Sequence, residues 1–409
     1  MQYVIIGNST AGISAAENIR RIDQQGEITI ISNEPYHTYS RPLISYLLSG
    51  KVTEADMKYR GNDFYDNNNC TLKRNALATR IDAKEKYVAL ADGEHIPYDK
   101  LLVATGASAF IPSWKGLETV KHKYTFMSMD DTLRLNDVLD ESKRVLIIGA
   151  GLIGLKCAEG IAERTSQITI IDLAPRVLPS ILDEDGAKRV QSHLESNGLK
   201  FHLSCNVKCF NKNLAITADD KEIEFDILVI AAGVQPNIDL LKDIALIDKG
   251  IIINEKSETS VPDIYAAGDC TQTLDISSGQ NKIMALLPNA YMQGECAGIN
   301  MAGGKKSFDQ ALPMNALGFF GLHMITAGNY TGDIVVKDDI NRYKRFFYSN
   351  NRLNGYILIG NVEKAGIYTS LIREQTPIDS IDFPLICEKP GLNAFTKEAR
   401  MIKLGGGLE

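Results

Sequence analysis

The sequence predicts an α/β protein with two Rossmann-like dinucleotide-binding domains and a small α+β C-terminal domain. Three observations carry that prediction. Tyr3 to Glu34 reads as strand, glycine turn, helix, strand and acid; Arg144 to Asp172 repeats the same order; and from about Pro313 the pattern changes to antiparallel strands followed by a helix.

In the first unit, Tyr3-Val4-Ile5-Ile6 runs into Gly7-Asn8-Ser9-Thr10-Ala11-Gly12, and Ile28-Thr29-Ile30-Ile31 leads to Glu34. Gly7 allows the tight turn and Gly12 lets the helix lie close to the strand. The helix amides then face a pyrophosphate. Glu34, 22 residues after Gly12, is placed to accept hydrogen bonds from a ribose diol. Ser9 stands where the second glycine belongs and narrows the space for the pyrophosphate. An ordinary βα turn that uses glycine for packing is the alternative. The pattern as a whole, with strand, helix and acid, favours the dinucleotide.

The next stretch reads Tyr39-Ser40-Arg41-Pro42-Leu43, with Pro42 opening a short helix. Arg41 either reaches a phosphate or a flavin edge or is a plain surface arginine. Residues 52 to 98 read as short strands and turns, with Asp92-Gly93 as a hairpin signal. A buried strand then ends in the small-residue turn Thr105-Gly106, and Ile111-Pro112 looks like a linker. In the second unit Val145-Leu146-Ile147-Ile148 leads into Gly149-Ala150-Gly151-Leu152-Ile153-Gly154, with all three glycines present. A helix to about Glu163 and a strand follow. Asp172, 18 residues beyond Gly154, suits a ribose hydroxyl. Two such units, 142 residues apart by their first glycines, imply two different dinucleotides.

Composition removes other classes. The 409 residues carry a net charge of −7 with no long single-sign run, which argues against nucleic acid and an anionic membrane surface as main partners. There is no signal-peptide pattern and no apolar stretch of membrane-spanning length, so a cytoplasmic protein is expected. Seven scattered cysteines do not form a disulfide framework. Cys205 and Cys209 could make one side of a metal site but lack a second pair, so no metal is expected.

A strand through Ile230 to Gly233 precedes Ile264-Tyr265-Ala266-Ala267-Gly268-Asp269 and Leu287-Pro288-Asn289-Ala290-Tyr291-Met292-Gln293-Gly294. With these motifs the chain resembles the two-dinucleotide-binding flavoproteins, the pyridine nucleotide–disulfide oxidoreductases in the broad sense, from Tyr3 to about Pro377. Its ending is similar to NADH–rubredoxin oxidoreductases and the flavin portion of assimilatory nitrite reductases. The resemblance implies a glutathione-reductase-like fold, in which residues 1–112 and 246–312 bind FAD, 113–245 bind NAD(P)H and 313–404 form the C-terminal domain. It also implies that Asp269 binds the flavin's ribityl chain, that Arg41 and Pro42 contact the flavin, and that Thr105, Gly106, Gly233, Gly268 and Ala290 lie against the cofactors. The terminal Gly405-Gly406-Gly407-Leu408-Glu409 reads as a linker or an appended scar.

Two departures from the family shape the functional expectation. No cysteine occurs between Gly7 and Cys70, so the thiol relay of disulfide reductases is missing and electrons are expected to leave the flavin directly. Lys156 stands where the family usually has Glu. Either its cation stabilises a reduced, anionic flavin, or the side chain turns away. The expected activity is hydride transfer from NADH (NADPH less suited) to FAD, then electron transfer to a small redox protein such as rubredoxin, with Lys156 and Arg41 as the catalytic candidates. An NADH oxidase or diaphorase using dioxygen or a quinone is the first alternative, and a flavin-based redox sensor the second. Lys337, Arg342, Lys344, Arg345 and Arg352 are candidates for a basic docking patch.

Overall fold

The structure is a computed structural model that describes residues 1–339 and 342–404; the terminal Gly405–Glu409 segment read above as a linker or scar lies outside the described residues. The chain divides into two compact units. One holds residues 1–173, 198–274 and 281–311; the other holds 174–197, 275–280 and the chain from 312 onward.

Both parallel sheets belong to the first unit. The first has five strands in the order Ile264–Ala266, Lys100–Val103, Gln2–Ile6, Glu27–Ile31 and Cys70–Lys73. The β-branched runs explain it: Val4, Ile5, Ile30 and Val103 are each at most 1% exposed, as strands covered on both faces require. Strand order reverses direction at Gln2–Ile6, and such a switch point opens a crevice at the carboxyl ends of the strands. The second sheet repeats the plan as Lys200–His202, Ile168–Ile171, Val145–Ile148, Ile227–Ile230 and Lys123–Tyr124.

Small residues set the helix packing. The helix Thr10–Ile22 buries Ala11, Ile13, Ala15 and Ile19, and the helix Leu287–Met301 crosses it through Gly294 and Gly298. A Cβ on either glycine would run into the backbone of Ala11 or Ala15, so this crossing needs glycine. Where short strands and turns were expected between residues 52 and 98, two helical turns occur as well, at Glu54–Met57 and Phe64–Asn67. Each is too short to show a helical period. The Asp92-Gly93 hairpin joins Tyr87–Leu90 to His95–Pro97.

One buried cation staples this unit. Arg20 is 8% exposed and donates to the carbonyls of Asn68, Asp23, Gly26 and Asn69 at 2.7, 2.9, 2.8 and 3.2 Å. Hydrogen bonds to a charged group are worth about 1.5–3 kcal/mol each, and the carbonyls would be left unpaired in Arg20→Met. That variant is expected to lose at least about 2 kcal/mol, read as a lower urea midpoint. An unchanged midpoint would show that water satisfies the carbonyls.

The second unit is an antiparallel sheet in the order Met314–Phe319, Leu322–Gly328, Arg352–Gly360, Arg342–Ser349 and Asp333–Asp339, with the helix Ala365–Arg373 on it. This is the expected α+β ending. The basic patch, however, is not a set of unpaired cations. Arg345 is 7% exposed and pairs with Asp338 at 2.6 Å, with Asp183 and Asp185 at 3.8 and 3.7 Å. Lys344 is buried, with Nζ 3.3 Å from the carbonyl of Glu388 and its pKa lowered by burial. Lys337 and Arg342 both pair with Glu388 at 3.4 Å, and Arg352 donates to Gln375 at 2.9 Å. Asp338 lies within this stretch, but Asp183, Asp185 and Glu388 come from distant parts of the chain, so a reading of residues 337–352 alone could not find them.

Candidate functional site

The first glycine turn is fixed by contact with its own unit. Gly7 has φ +124°, and a Cβ there would meet the carbonyl of Ala104; one on Gly12 would meet the carbonyl of Gly7. Gly12 therefore serves the packing, as expected, while Gly7 and Ser9 line a cavity of about 450 Å³ at the carboxyl ends of the first sheet. Ser9 is the N-cap of Thr10–Ile22 yet makes no side-chain bond to that helix, so its narrow side chain does not close the turn.

Glu34 and Arg41 reach the same cavity, and so do Thr105, Gly106, Gly268, Asp269 and Ala290. Asp269 is the chemically marked member. Burial raises its carboxyl to about 6, against the opposing effect of Arg41. A half-buried acid lining a cavity at strand ends is, once ionised, a strong acceptor for hydroxyl groups. Glu34 is held from two sides: the Tyr39 hydroxyl donates to Oε1 at 2.9 Å and the Arg41 guanidinium to Oε2 at 2.9 Å. Arg41 also donates to the carbonyl of Met127 at 3.0 Å.

A smaller cavity of about 210 Å³ shares Arg41 with the larger one. Pro42, Tyr59, Leu287, Pro288 and Tyr291 wall it. No cysteine lines either cavity. Cys270, next to Asp269, is wholly buried; its Sγ donates to the carbonyls of Ala267 and Val103 at 3.4 and 3.6 Å, and burial raises its pKa.

The second glycine turn lies outside both cavities. Gly149, at φ +118°, and Gly154 are required by packing, against the carbonyls of Ala231 and Gly149. Gly151 is different: its φ is ordinary and nothing lies within 4 Å of where a Cβ would be. The protein's own packing does not demand glycine there. Asp172 Oδ2 accepts from the Ala150 amide at 2.6 Å, so the acid also braces the turn. Gly233 has φ +135° and accepts from the Phe110 amide at 2.9 Å where the two segments cross. Lys156 is not among the residues lining the cavities. Its Nζ lies 2.7 Å from Glu159 and 5.8 Å from the Tyr46 ring centroid. The cation considered from the sequence is thus one half of an ion pair.

Three supports were not read from the sequence. Gln293 Oε1 accepts from the Gly268 amide at 2.7 Å and so holds the Asp269 turn from the helix Leu287–Met301. Asn237 donates to the Thr105 carbonyl at 2.9 Å while its own carbonyl accepts from the Thr105 hydroxyl at 2.7 Å. Tyr39 ties Glu34 to Met129, whose amide donates to its hydroxyl at 3.2 Å. Gln293 lies in the stretch Leu287 to Gly294 quoted above, but an amide side chain carries no local signal of its partner.

Two family models match most of the chain. The family model described as pyridine nucleotide-disulphide oxidoreductase covers residues 1–294, and that of the rubredoxin NAD+ reductase C-terminal domain covers 313–376. The chain is 30% identical over 391 residues to the NADH-dependent phenylglyoxylate dehydrogenase subunit epsilon of Aromatoleum evansii, covering 92% of each. It is 28% identical over 385 residues to the NADH-rubredoxin oxidoreductase of Clostridium acetobutylicum, covering 93% of this chain and 96% of that one. A crystal structure of the covalent putidaredoxin reductase–putidaredoxin complex shares the fold, with a TM-score of 0.88 at 22% identity over 95% of this chain and 96% of that one.

Proposed function

The chain belongs to the pyridine nucleotide-disulphide oxidoreductase family, and from that premise we propose that it carries electrons from NADH through FAD to a small redox protein such as rubredoxin. It is an FAD-dependent NAD(P)H oxidoreductase. The observation that most supports the finer reading is the gathering of Gly7, Ser9, Glu34, Arg41, Gly268 and Asp269 on one cavity.

Residues 1–112 with 246–312 are proposed to hold FAD, 113–245 to hold the nicotinamide dinucleotide and 313–404 to form the C-terminal domain. The flavin supplies a ring that takes a hydride and releases electrons singly. The chain's part is to hold it. Asp269 accepts from ribityl hydroxyls and Glu34 from the adenosine ribose, while Ser9 and the helix amides behind it face the pyrophosphate. Arg41, between the two cavities, offsets phosphate charge. Pro42, Thr105, Gly106 and Ala290 shape the walls. In the second glycine turn and at the end of the neighbouring strand, Gly149, Gly151, Gly154 and Gly233 form the cradle for the other dinucleotide. The smaller cavity, with its apolar rim and no thiol, suits direct electron exit. Lys156 enters as a neutralised pair with Glu159, which offers an anionic flavin less than a lone cation would.

A cytoplasmic location fits, since all seven cysteines are free thiols. Among the described residues no helix is long and apolar enough to cross a membrane.

Anaerobic mixing of the FAD-loaded protein with NADH should bleach the flavin within the dead time or shortly after; no bleaching overturns the reading. NADH should outpace NADPH by at least about tenfold, because Asp172 repels a 2′-phosphate. Arg176, four residues after Asp172, donates to the carbonyls of Leu182 and Pro179, each at 3.4 Å. Asp172→Ser should narrow the preference. Equal stopped-flow rates for the two donors would sink the argument.

A further inference from the structure

We propose that Tyr39 is the positioning residue that aims Glu34 at the ribose diol, an inference that rests on reading the larger cavity as the FAD site. A carboxylate offers about four lone-pair sites. Tyr39 takes one on Oε1 and Arg41 takes one on Oε2, each at 2.9 Å. One site then remains on each oxygen, and a vicinal diol offers two hydroxyls to fill them. With its side chain unfixed, Glu34 would have to order several torsions at the moment of binding, and prior ordering lowers that cost.

The direction of the Tyr39 bond is forced. The Met129 amide can only donate, and it donates to the Tyr39 oxygen at 3.2 Å. The phenolic hydrogen is therefore left for Glu34. Tyr39 is 7% exposed and burial moves its pKa well upward, so it stays a donor at neutral pH. Its anchor is firm as well. Met129 opens the helix Met129–Asn136, capped by a reciprocal Ser128–Asp131 box, and Tyr36 donates to Asp130 in the same turn. The Arg41 guanidinium lies 5.1 Å from the Tyr39 ring centroid, so the ring also helps to place the second arm on Glu34.

The test is a double-mutant cycle on FAD affinity, measured by the fluorescence of flavin released as purified holoprotein is diluted. Tyr39→Phe keeps the ring and removes the hydroxyl. It should weaken FAD about tenfold while Glu34→Ala weakens it at least as much. In the double variant the Tyr39→Phe penalty should vanish, because Tyr39 acts through Glu34. A merely structural tyrosine would give penalties that multiply, and that result overturns the proposal. An FAD analogue without the adenosine 2′-hydroxyl adds a second readout: its disadvantage should shrink in Tyr39→Phe, and an unchanged disadvantage counts against positioning. Failure of the wild-type protein to bind FAD would instead remove the cavity reading itself.

Discussion

Asp269→Ala is expected to purify almost colourless, with FAD bound roughly 10- to 100-fold more weakly than in the parent chain. The reason is local. Asp269 lies on the larger cavity, and hydroxyls paired with it there would lose a carboxylate acceptor. The Gly268 amide stays anchored by Gln293, so the turn itself should survive. The apoprotein should then fold at least as well as the parent, because burial raises this carboxyl from its ordinary 3.8 to about 6. A group that binds protons more tightly in the folded state destabilises the fold once it must ionise. Its cost is absent below pH 3.8, grows as pH rises, and is complete above about 6. Flavin affinity runs the other way. Hydroxyl donors favour the carboxylate, so FAD retention should rise through pH 6 and fall at pH 5, and Asp269→Asn should flatten that profile. The ratio of flavin to protein absorbance after gel filtration across this range reads both effects. A fully yellow Asp269→Ala protein would show that the acid does not touch the cofactor.

The parts of this molecule legible in the sequence are those whose causes are local. Gly12 and Gly154 are demanded by the carbonyls of Gly7 and Gly149 in their own turns, and Gly7 and Gly149 by the positive φ of those turns as well as by Ala104 and Ala231, so the glycine spacing reports the fold directly. The two acids at strand ends were legible for the same reason. What was not legible depends on partners far along the chain. Gln293 serves Gly268 from 25 residues away, Asn237 serves Thr105 from 132, and Met129 serves Tyr39 from 90. The pairing of the basic strands was hidden in part by this route too, since Asp183, Asp185 and Glu388 lie outside residues 337–352, whereas Asp338, which pairs with Arg345, lies within them. Lys156 differs. Its partner is three residues on along one helix, close enough to have been read, and the family comparison drew attention to the position rather than to its neighbour.

Supplied with NADH, the enzyme should reduce a one-electron carrier such as rubredoxin rapidly and reduce small disulfides at close to the uncatalysed rate. A disulfide must be attacked by a thiolate. No cysteine lines either cavity, and Cys270, the thiol beside Asp269, is buried, hydrogen-bonded to carbonyls and raised in pKa. Electrons therefore have no covalent stop between the flavin and the acceptor. The manner of docking follows from the pairing of the charged strands. Lys337, Arg342 and Arg345 are engaged by acids, and the whole chain carries −7, so an acidic carrier gains little from electrostatic attraction at this sheet. Raising salt from about 0.01 to 0.1 M shortens the Debye length from about 30 to 10 Å. Over that range carrier reduction should hold or rise slightly, and Lys337→Glu should leave it within about twofold. A steep fall with salt would restore charge-steered docking and send the search to another basic surface. Rapid oxygen consumption with no carrier reduction at any salt would instead make dioxygen the acceptor, leaving the flavin and nicotinamide sites as described and replacing only the last step.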